Sequence, residues 1–330
     1  MVALWLALLL LVSCAKPGTG PVIEGNEPLM PVVTRPEELP TEPEEPEEPE
    51  EPEPEPEPIP DPVLVFSAEE VEQGSFLIVR GENLDENATL TDFSGKEVPF
   101  FPVEDEKFLF LPVKPSVKVG DYTLTLKSGD FSMDYAVPVT FRAFDTQYLE
   151  VEEGTLSETL ENQAANEEYN TVAAPLKYTF TPTPLWDGDF ILPLTVTYKE
   201  TTTYGTFRTF SNGSTEWHNA IDMAAKGGSP VYATASGTVL YAGFLKLTGN
   251  TVILDHGCGV ISWYYHMKTL SVETGAGVSG GTQIGTVGTT GLSTGNHLHF
   301  GISVNGALVD PMAFVGTRPD FAFGKEESTK

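Results

Sequence analysis

Basic residues are scarce: Lys and Arg together number 18 against 48 Asp and Glu in 330 residues, a formal net charge of -30. The bases form no cluster, which argues against nucleic acid as a partner, because phosphate must be neutralised to be bound. The acidic excess is uneven. Between Glu37 and Asp61 lie thirteen of the acidic residues, and a block of like charge is ordinarily a solvated segment that says little about partners. Cysteine is nearly absent as well. The two present, Cys14 and Cys258, cannot be read as a disulfide framework. Cys258 sits in Gly257-Cys258-Gly259, a hairpin-turn context that suits a semi-buried thiol, and no neighbouring spacing requires it as a metal ligand. The apolar run Met1 to Val12 is too short to span a bilayer and fits the h-region of a signal peptide, although no Lys or Arg precedes it.

What is present divides the chain into segments. The apolar run ends in Leu11-Val12-Ser13-Cys14, which resembles the lipobox of bacterial lipoproteins. That resemblance implies residues 1–14 as a lipoprotein signal peptide and Cys14 as the lipidated anchor to a membrane of the cell envelope. Ala15 after Cys14, with no Asp, resembles sorting to the outer membrane, facing the periplasm. Residues 15–62 lack apolar periodicity and close in a Pro-Glu repeat. Proline favours extended backbone and the glutamates repel, so this is a spacer with a reach on the order of 80 Å at roughly 3.1 Å per residue.

From Val63 the composition changes to short runs of β-formers: Val63–Phe66, Ser75–Arg80, Val98–Phe101, Phe108–Leu111 and Tyr122–Leu126. Turn residues separate them at intervals of about ten residues, the texture of a β-sandwich. Residues 63–143 are expected as an Ig-like β domain with a spacing or binding role and no catalytic one. Residues 144–205 read as a connector, with a helix over Leu156–Ala165, a turn at Trp186–Phe190 and a short strand at Ile191–Leu194. Residues 206–316 return to short Gly- and Thr-rich strands, expected at Val231–Ala233, Gly237–Gly243, Asn250–Leu254, Val260–Tyr265 and Gln283–Val287. Residues 317–330 read as a tail. The fold class is therefore mainly β: a sandwich followed by a small antiparallel β domain.

All five histidines lie between His218 and His299. Three groupings stand out: His218-x-x-x-Asp222, Tyr265-His266, and His297-Leu298-His299. On a strand, side chains at i, i+2 and i+4 share a face, so His218 with Asp222 offers two ligands and the His297 strand a third. Two imidazoles and a carboxylate make a catalytic zinc site with one position open. The His-Glu-x-x-His helix of common zinc peptidases is absent, so the scaffold differs. His256 has no ligand spacing and reads as structural.

Residues 206–316 resemble the lysostaphin/LytM-type zinc metallopeptidases, which cut peptide bonds in bacterial peptidoglycan. The resemblance runs through His218 to Asp222, Gly228–Ala233, Gly237–Val239, Gly249–Val252, Asp255-His256-Gly257, Tyr265-His266, Gly288–Gly291, Ser293–Gly295 and His297–Phe300. It implies the small β unit known as a duplicated hybrid motif, with an open groove. It also implies Zn2+ held by His218, Asp222 and His299, with His266 and His297 as the catalytic pair. Gly301 departs from the pattern, since many relatives carry Glu there; Met267 replaces the usual Leu.

Zinc chemistry would lower the pKa of water from about 15.7 to about 7 and polarise the scissile carbonyl. With no glutamate base in the pattern, proton handling falls to His266 and His297, in roles the sequence leaves open. The favoured reading is a lipid-anchored peptidoglycan endopeptidase. Its rivals are a non-catalytic peptidoglycan-binding or hydrolase-activating factor, and a structural envelope lipoprotein. Trp217, Tyr232, Trp263, Tyr264 and Tyr265 are candidates for the groove, though aromatic residues in strands more often form core.

Overall fold

The computed structural model describes residues 60–103, 106–150 and 162–319. The apolar N-terminal run with Cys14, the spacer as far as residue 59, most of the expected helix Leu156–Ala165 and nearly all of the tail lie outside the described residues. Among the described residues, no helix is long and apolar enough to cross a membrane.

Residues 63–140 form two sheets. One has the spatial order Val63–Phe66, Phe76–Glu82, Glu106–Pro112, Phe101–Val103; the other runs Val71–Glu72, Phe131–Thr140, Gly120–Ser128, Thr89–Thr91, Glu97–Pro99. Alternating side chains of both sheets meet in a shared core, with Leu77, Val79, Leu109 and Leu111 facing Leu90, Leu124, Leu126 and Val137. Phe131–Thr140 was not expected as a strand, although it is ten residues long. Asp134 and Pro138 disfavour strand by composition, yet the hairpin partner Gly120–Ser128 pairs with it from end to end.

The run Phe108-Leu109-Phe110-Leu111 shows no apolar/polar alternation because its strand is covered on both faces. Leu109 and Leu111 enter the sandwich core, while Phe110 enters the core of the C-terminal unit with Trp186, Phe190 and Phe314. Phe76 stacks on Phe314 at a centroid distance of 4.6 Å. The Asp310 N–H donates to the Gly74 carbonyl at 2.9 Å, and Arg142 pairs with the Asp310 carboxylate. Each such buried ring contributes roughly 1.5–3 kcal/mol, so the sandwich is welded to the unit that carries the histidines.

The C-terminal unit is built on an antiparallel sheet of eight strands. Its order is Lys199–Thr202, Ile221–Ala224, His297–Val304, Val260–Met267, Gly249–Asp255, Gly237–Leu245, Gly277–Val278, with Ala307–Val309 added beside His297–Val304. A small sheet of Pro230–Tyr232, Gln283–Thr286 and Thr269–Leu270 and another of Thr146–Leu149, Thr206–Phe210 and Thr215–His218 flank it. The core between them holds Met223, Val252, Leu254, Tyr264, Leu298 and Phe300.

The connector departs from expectation in two places. Its helix runs Gln163–Val172, N-capped by Asn162, whose Oδ1 accepts from the Ala165 N–H at 3.0 Å. The cap fixes the start, so Ala165 lies near the beginning of the helix rather than at its end. Ile191–Leu194 is not a strand. Pro193 lacks a donor, and the stretch is tied by single bonds, Ile191 N–H to the Thr234 carbonyl and Tyr232 N–H to the Pro193 carbonyl.

Candidate metal centre

The strand His297–Val304 lies between Ile221–Ala224 and Val260–Met267, and register does the positioning. His299 is opposite Asp222 on one side and Tyr265 on the other. Directly opposed residues share a face, as do i and i+2, so Asp222, His297 and His299 point together while Leu298 and Phe300 anchor the far face, fully buried.

His218 arrives by a different route from the one its spacing suggested. It ends the strand Thr215–His218 of the flanking sheet, and Ile221–Ala224 begins a strand of the large sheet. The chain therefore turns at Asn219-Ala220, and the single extended run that would put i and i+4 on one face does not exist. Burial of Ala220 and Ile221 holds the turn.

Three donor atoms converge. His218 Nε2 is 3.1 Å from Asp222 Oδ1, His299 Nδ1 is 3.0 Å from the same oxygen, and the two ring nitrogens are 3.2 Å apart. A tetrahedral zinc with bonds of about 2.0–2.1 Å needs donor separations of about 3.3 Å. Two imidazole nitrogens and one carboxylate oxygen are the matching chemistry, so these residues fit the ion. His218 Nδ1 faces the Thr203 carbonyl at 3.4 Å, which places its proton there and the lone pair on Nε2. Burial by itself would raise the Asp222 pKa, but the bonds and charges of His218 and His299 hold the carboxyl well below its ordinary value. His299 is pushed down, chiefly by burial, against the pull of Asp222.

His266 stands beside this triangle because its backbone is strained. In a regular strand it would face away from Tyr265, but its φ is +60°, in the left-handed region that non-glycine residues rarely occupy. The turn swings its ring to 4.7 Å from that of His297 and 6.0 Å from that of His299. Its N–H donates to the Thr248 carbonyl at 2.8 Å and its Nδ1 to the Thr290 carbonyl at 2.9 Å. That second acceptor is brought close by two glycines: a Cβ on Gly249 would meet the Thr290 carbonyl oxygen at 2.3 Å, and one on Gly291 the Gly249 nitrogen at 2.3 Å. His297 Nδ1 donates to the Gly295 carbonyl at 2.9 Å, with Ser293 Oγ at 3.3 Å. Both rings thus carry the proton on Nδ1 and the lone pair on Nε2. Burial first, then the neighbouring His299 and His297, pushes the His266 pKa down to about 3.

The centre lies in an open groove of about 700 Å³. Trp217, Trp263 and Tyr265 line it, whereas Tyr264 belongs to the core and Tyr232 is not part of the lining. Tyr265 also lies flat on His299, 5.0 Å between centroids and 5° between planes. Gly301 lines the groove with room for a Cβ, whose nearest neighbours would be 3.5 Å away.

His256 stands apart from the centre. It is fully buried, with Nδ1 at 2.8 Å from the Ser236 carbonyl and Nε2 at 2.7 Å from Ser262 Oγ. Cys258 is free and buried, more enclosed than the semi-buried thiol expected.

Two groove residues escaped the sequence reading. Tyr169, from the connector helix, lines the groove and places its hydroxyl 3.2 Å from that of Tyr265. Arg208 reaches Asp222 Oδ2 at 3.2 Å. The signal for Arg208 was Asn212-Gly213, a hairpin turn that folds Thr206–Phe210 back on Thr215–His218 and sets Arg208 opposite Glu216.

A β-built groove with a His, Asp, His donor set and two further imidazoles at its floor is the arrangement that metal-dependent hydrolases use. The profile of Peptidase family M23 matches residues 216–311. The lipoprotein NlpD of Yersinia enterocolitica is 39% identical over 98 residues, 29% of this chain and 100% of that sequence. The chain belongs to Peptidase family M23. The DD-carboxypeptidase/endopeptidase Mpg of Neisseria meningitidis serogroup B is 41% identical over 103 residues, 31% of this chain and 24% of that protein. The chain thus spans about a quarter of the length of such curated relatives. A crystal structure assigned to peptidase M23 from Pseudomonas aeruginosa shares the fold, with a TM-score of 0.52 at 24% identity, over 74% of this chain and 95% of that one.

Proposed function

We propose that this protein is a zinc-dependent endopeptidase that hydrolyses peptide bonds in peptidoglycan, tethered at the envelope through Cys14. The observation that carries the reading is the triangle of His218 Nε2, Asp222 Oδ1 and His299 Nδ1, with sides of 3.0 to 3.2 Å, open to the groove. The names of the relatives, DD-carboxypeptidase/endopeptidase Mpg and the Vibrio cholerae peptidoglycan DD-endopeptidase ShyA, support the substrate class. The sandwich, residues 63–143, acts as a rigid spacer. The acidic Pro-rich segment before it gives the enzyme reach toward a polymer lying away from its anchor.

Zinc held by His218, Asp222 and His299 would supply Lewis-acid polarisation of a carbonyl and a lowered pKa for water, from about 15.7 to about 7. The protein supplies everything else. The groove holds an extended peptide across the sheet face that carries Asp222 and His299. His266 and His297, with their Nδ1 protons committed to Thr290 and Gly295, present Nε2 lone pairs, and one of the two takes the proton from the attacking water and returns it to the departing amine. The one ring that takes the proton can then donate from its Nε2 to the developing oxyanion before passing the proton on to the amine.

Metal analysis of the full chain tests the centre: about one zinc per chain is expected in the wild type and none in Asp222→Ala. Zinc bound with no peptide bond cut would favour the rival, a factor that binds peptidoglycan or activates another hydrolase.

A further inference from the structure

We infer that Arg208 is a positioning residue for the metal centre, fixing Asp222 as a one-oxygen ligand. The inference rests on the zinc reading above and concerns how this chain presents its carboxylate. Arg208 lies on Thr206–Phe210, in register with Gln147 of Thr146–Leu149 on one side and Glu216 on the other. Cross-strand neighbours hold its guanidinium from both flanks: Nε donates to Gln147 Oε1 at 3.1 Å, and one terminal nitrogen lies 3.4 Å from Glu216 Oε1. The other terminal nitrogen points forward, donating to Thr202 Oγ1 at 3.1 Å and Asp222 Oδ2 at 3.2 Å.

The two oxygens of Asp222 therefore have separate duties. Oδ1 faces His218 and His299, and Oδ2 is taken by Arg208. A carboxylate free to rotate could present both oxygens to an ion or turn away from it; one gripped at Oδ2 presents Oδ1 alone. Thr202, directly opposite Asp222 in the large sheet, accepts from the same guanidinium nitrogen and so holds it beside Oδ2. The arginine's single charge also offsets part of the negative charge of Asp222 and Glu216, both of which line the groove. A lysine could match the charge but not the fork, because its ammonium is a point donor. Gln147 and Thr202 lie outside residues 216–311, as does Arg208 itself, so the grip on the ligand is supplied by chain that precedes the matched stretch.

Zinc dissociation constants of the full-length protein, measured by competition with a chromogenic chelator, test this alongside thermal unfolding of each metal-free protein. Removal of a residue that orients a ligand typically costs about 10–100-fold in metal affinity, and a loss of that size is expected for Arg208→Gln, with a smaller loss for Arg208→Lys. A purely structural arginine would lower the metal-free unfolding midpoint and leave the dissociation constant of the folded protein unchanged; that result overturns the inference. Should Arg208→Gln not fold, Arg208→Lys carries the same comparison. Absence of zinc binding by the wild type would overturn both the metal-centre reading and the inference, whereas equal binding by wild type and variants overturns the inference alone.

Discussion

His256 should make the fold sensitive to acid in a way that can be isolated. Its imidazole is fully buried, and burial pushes its pKa from 6.5 down to about 4, against the support of the Ser236 carbonyl. A depressed folded pKa means that the unfolded chain takes up a proton first as pH falls. The stabilisation is therefore complete above about pH 6.5, shrinks from there downward, and is lost as pH passes through about 4. With pKa values of 6.5 and about 4, the loss between about pH 7.5 and about pH 4.5 is roughly 2.5 kcal/mol. Urea unfolding of the metal-free protein at the two pH values reads it. Metal-free protein is essential, because ligand protonation would otherwise add its own pH dependence. His256→Asn keeps a donor for Ser236 but cannot titrate. It should be less stable near neutrality and lose about 2.5 kcal/mol less than wild type on acidification. Contributions of Asp222, His266 and His299 are common to both proteins and cancel. Parallel losses in wild type and variant would refute the reasoning, because His256 would then titrate in the fold much as it does in the unfolded chain.

Other consequences follow from the same geometry. His299→Ala should abolish zinc binding, whereas His297→Ala should keep the metal and lose turnover; equal metal loss in both, by elemental analysis, would contradict the division of roles. Zinc at about 100 times its dissociation constant should stabilise the wild type by about 2.7 kcal/mol in urea unfolding and leave His299→Ala unmoved. Gly249→Ala drives a Cβ into the Thr290 carbonyl, so it should cost more than about 1 kcal/mol and depress turnover further by shifting the acceptor of His266. Phe110→Ala, at the junction of sandwich and C-terminal unit, should cost about 3–5 kcal/mol in the same assay.

The strands were most legible where β-branched and aromatic residues ran together and turn residues bounded them, as in Gly249–Asp255 and Val260–Met267. The pairing of His297 with His299 was legible for the same reason, since period two is local information. What the sequence concealed was non-local. The convergence of His218 on Asp222 depends on a change of sheet at Asn219-Ala220, which no spacing rule reports. The reorientation of His266 depends on a positive φ held by Thr248, Thr290 and two glycines far apart in the chain, Gly249 and Gly291. Arg208 was overlooked because a lone arginine carries no spacing pattern; only the hairpin register at Asn212-Gly213 reveals its neighbours. Phe110 read as one more strand residue, and its unbroken apolar context was the mark of a strand covered on both faces.

Digestion of purified peptidoglycan sacculi tests the central claim most directly. The full-length protein should release soluble fragments bearing new peptide amino termini, stop when a chelator removes zinc, and resume when zinc is restored, with Asp222→Ala inactive throughout. Fragment masses would name the bond. A wild-type protein carrying one zinc per chain that releases no such fragments would contradict the account.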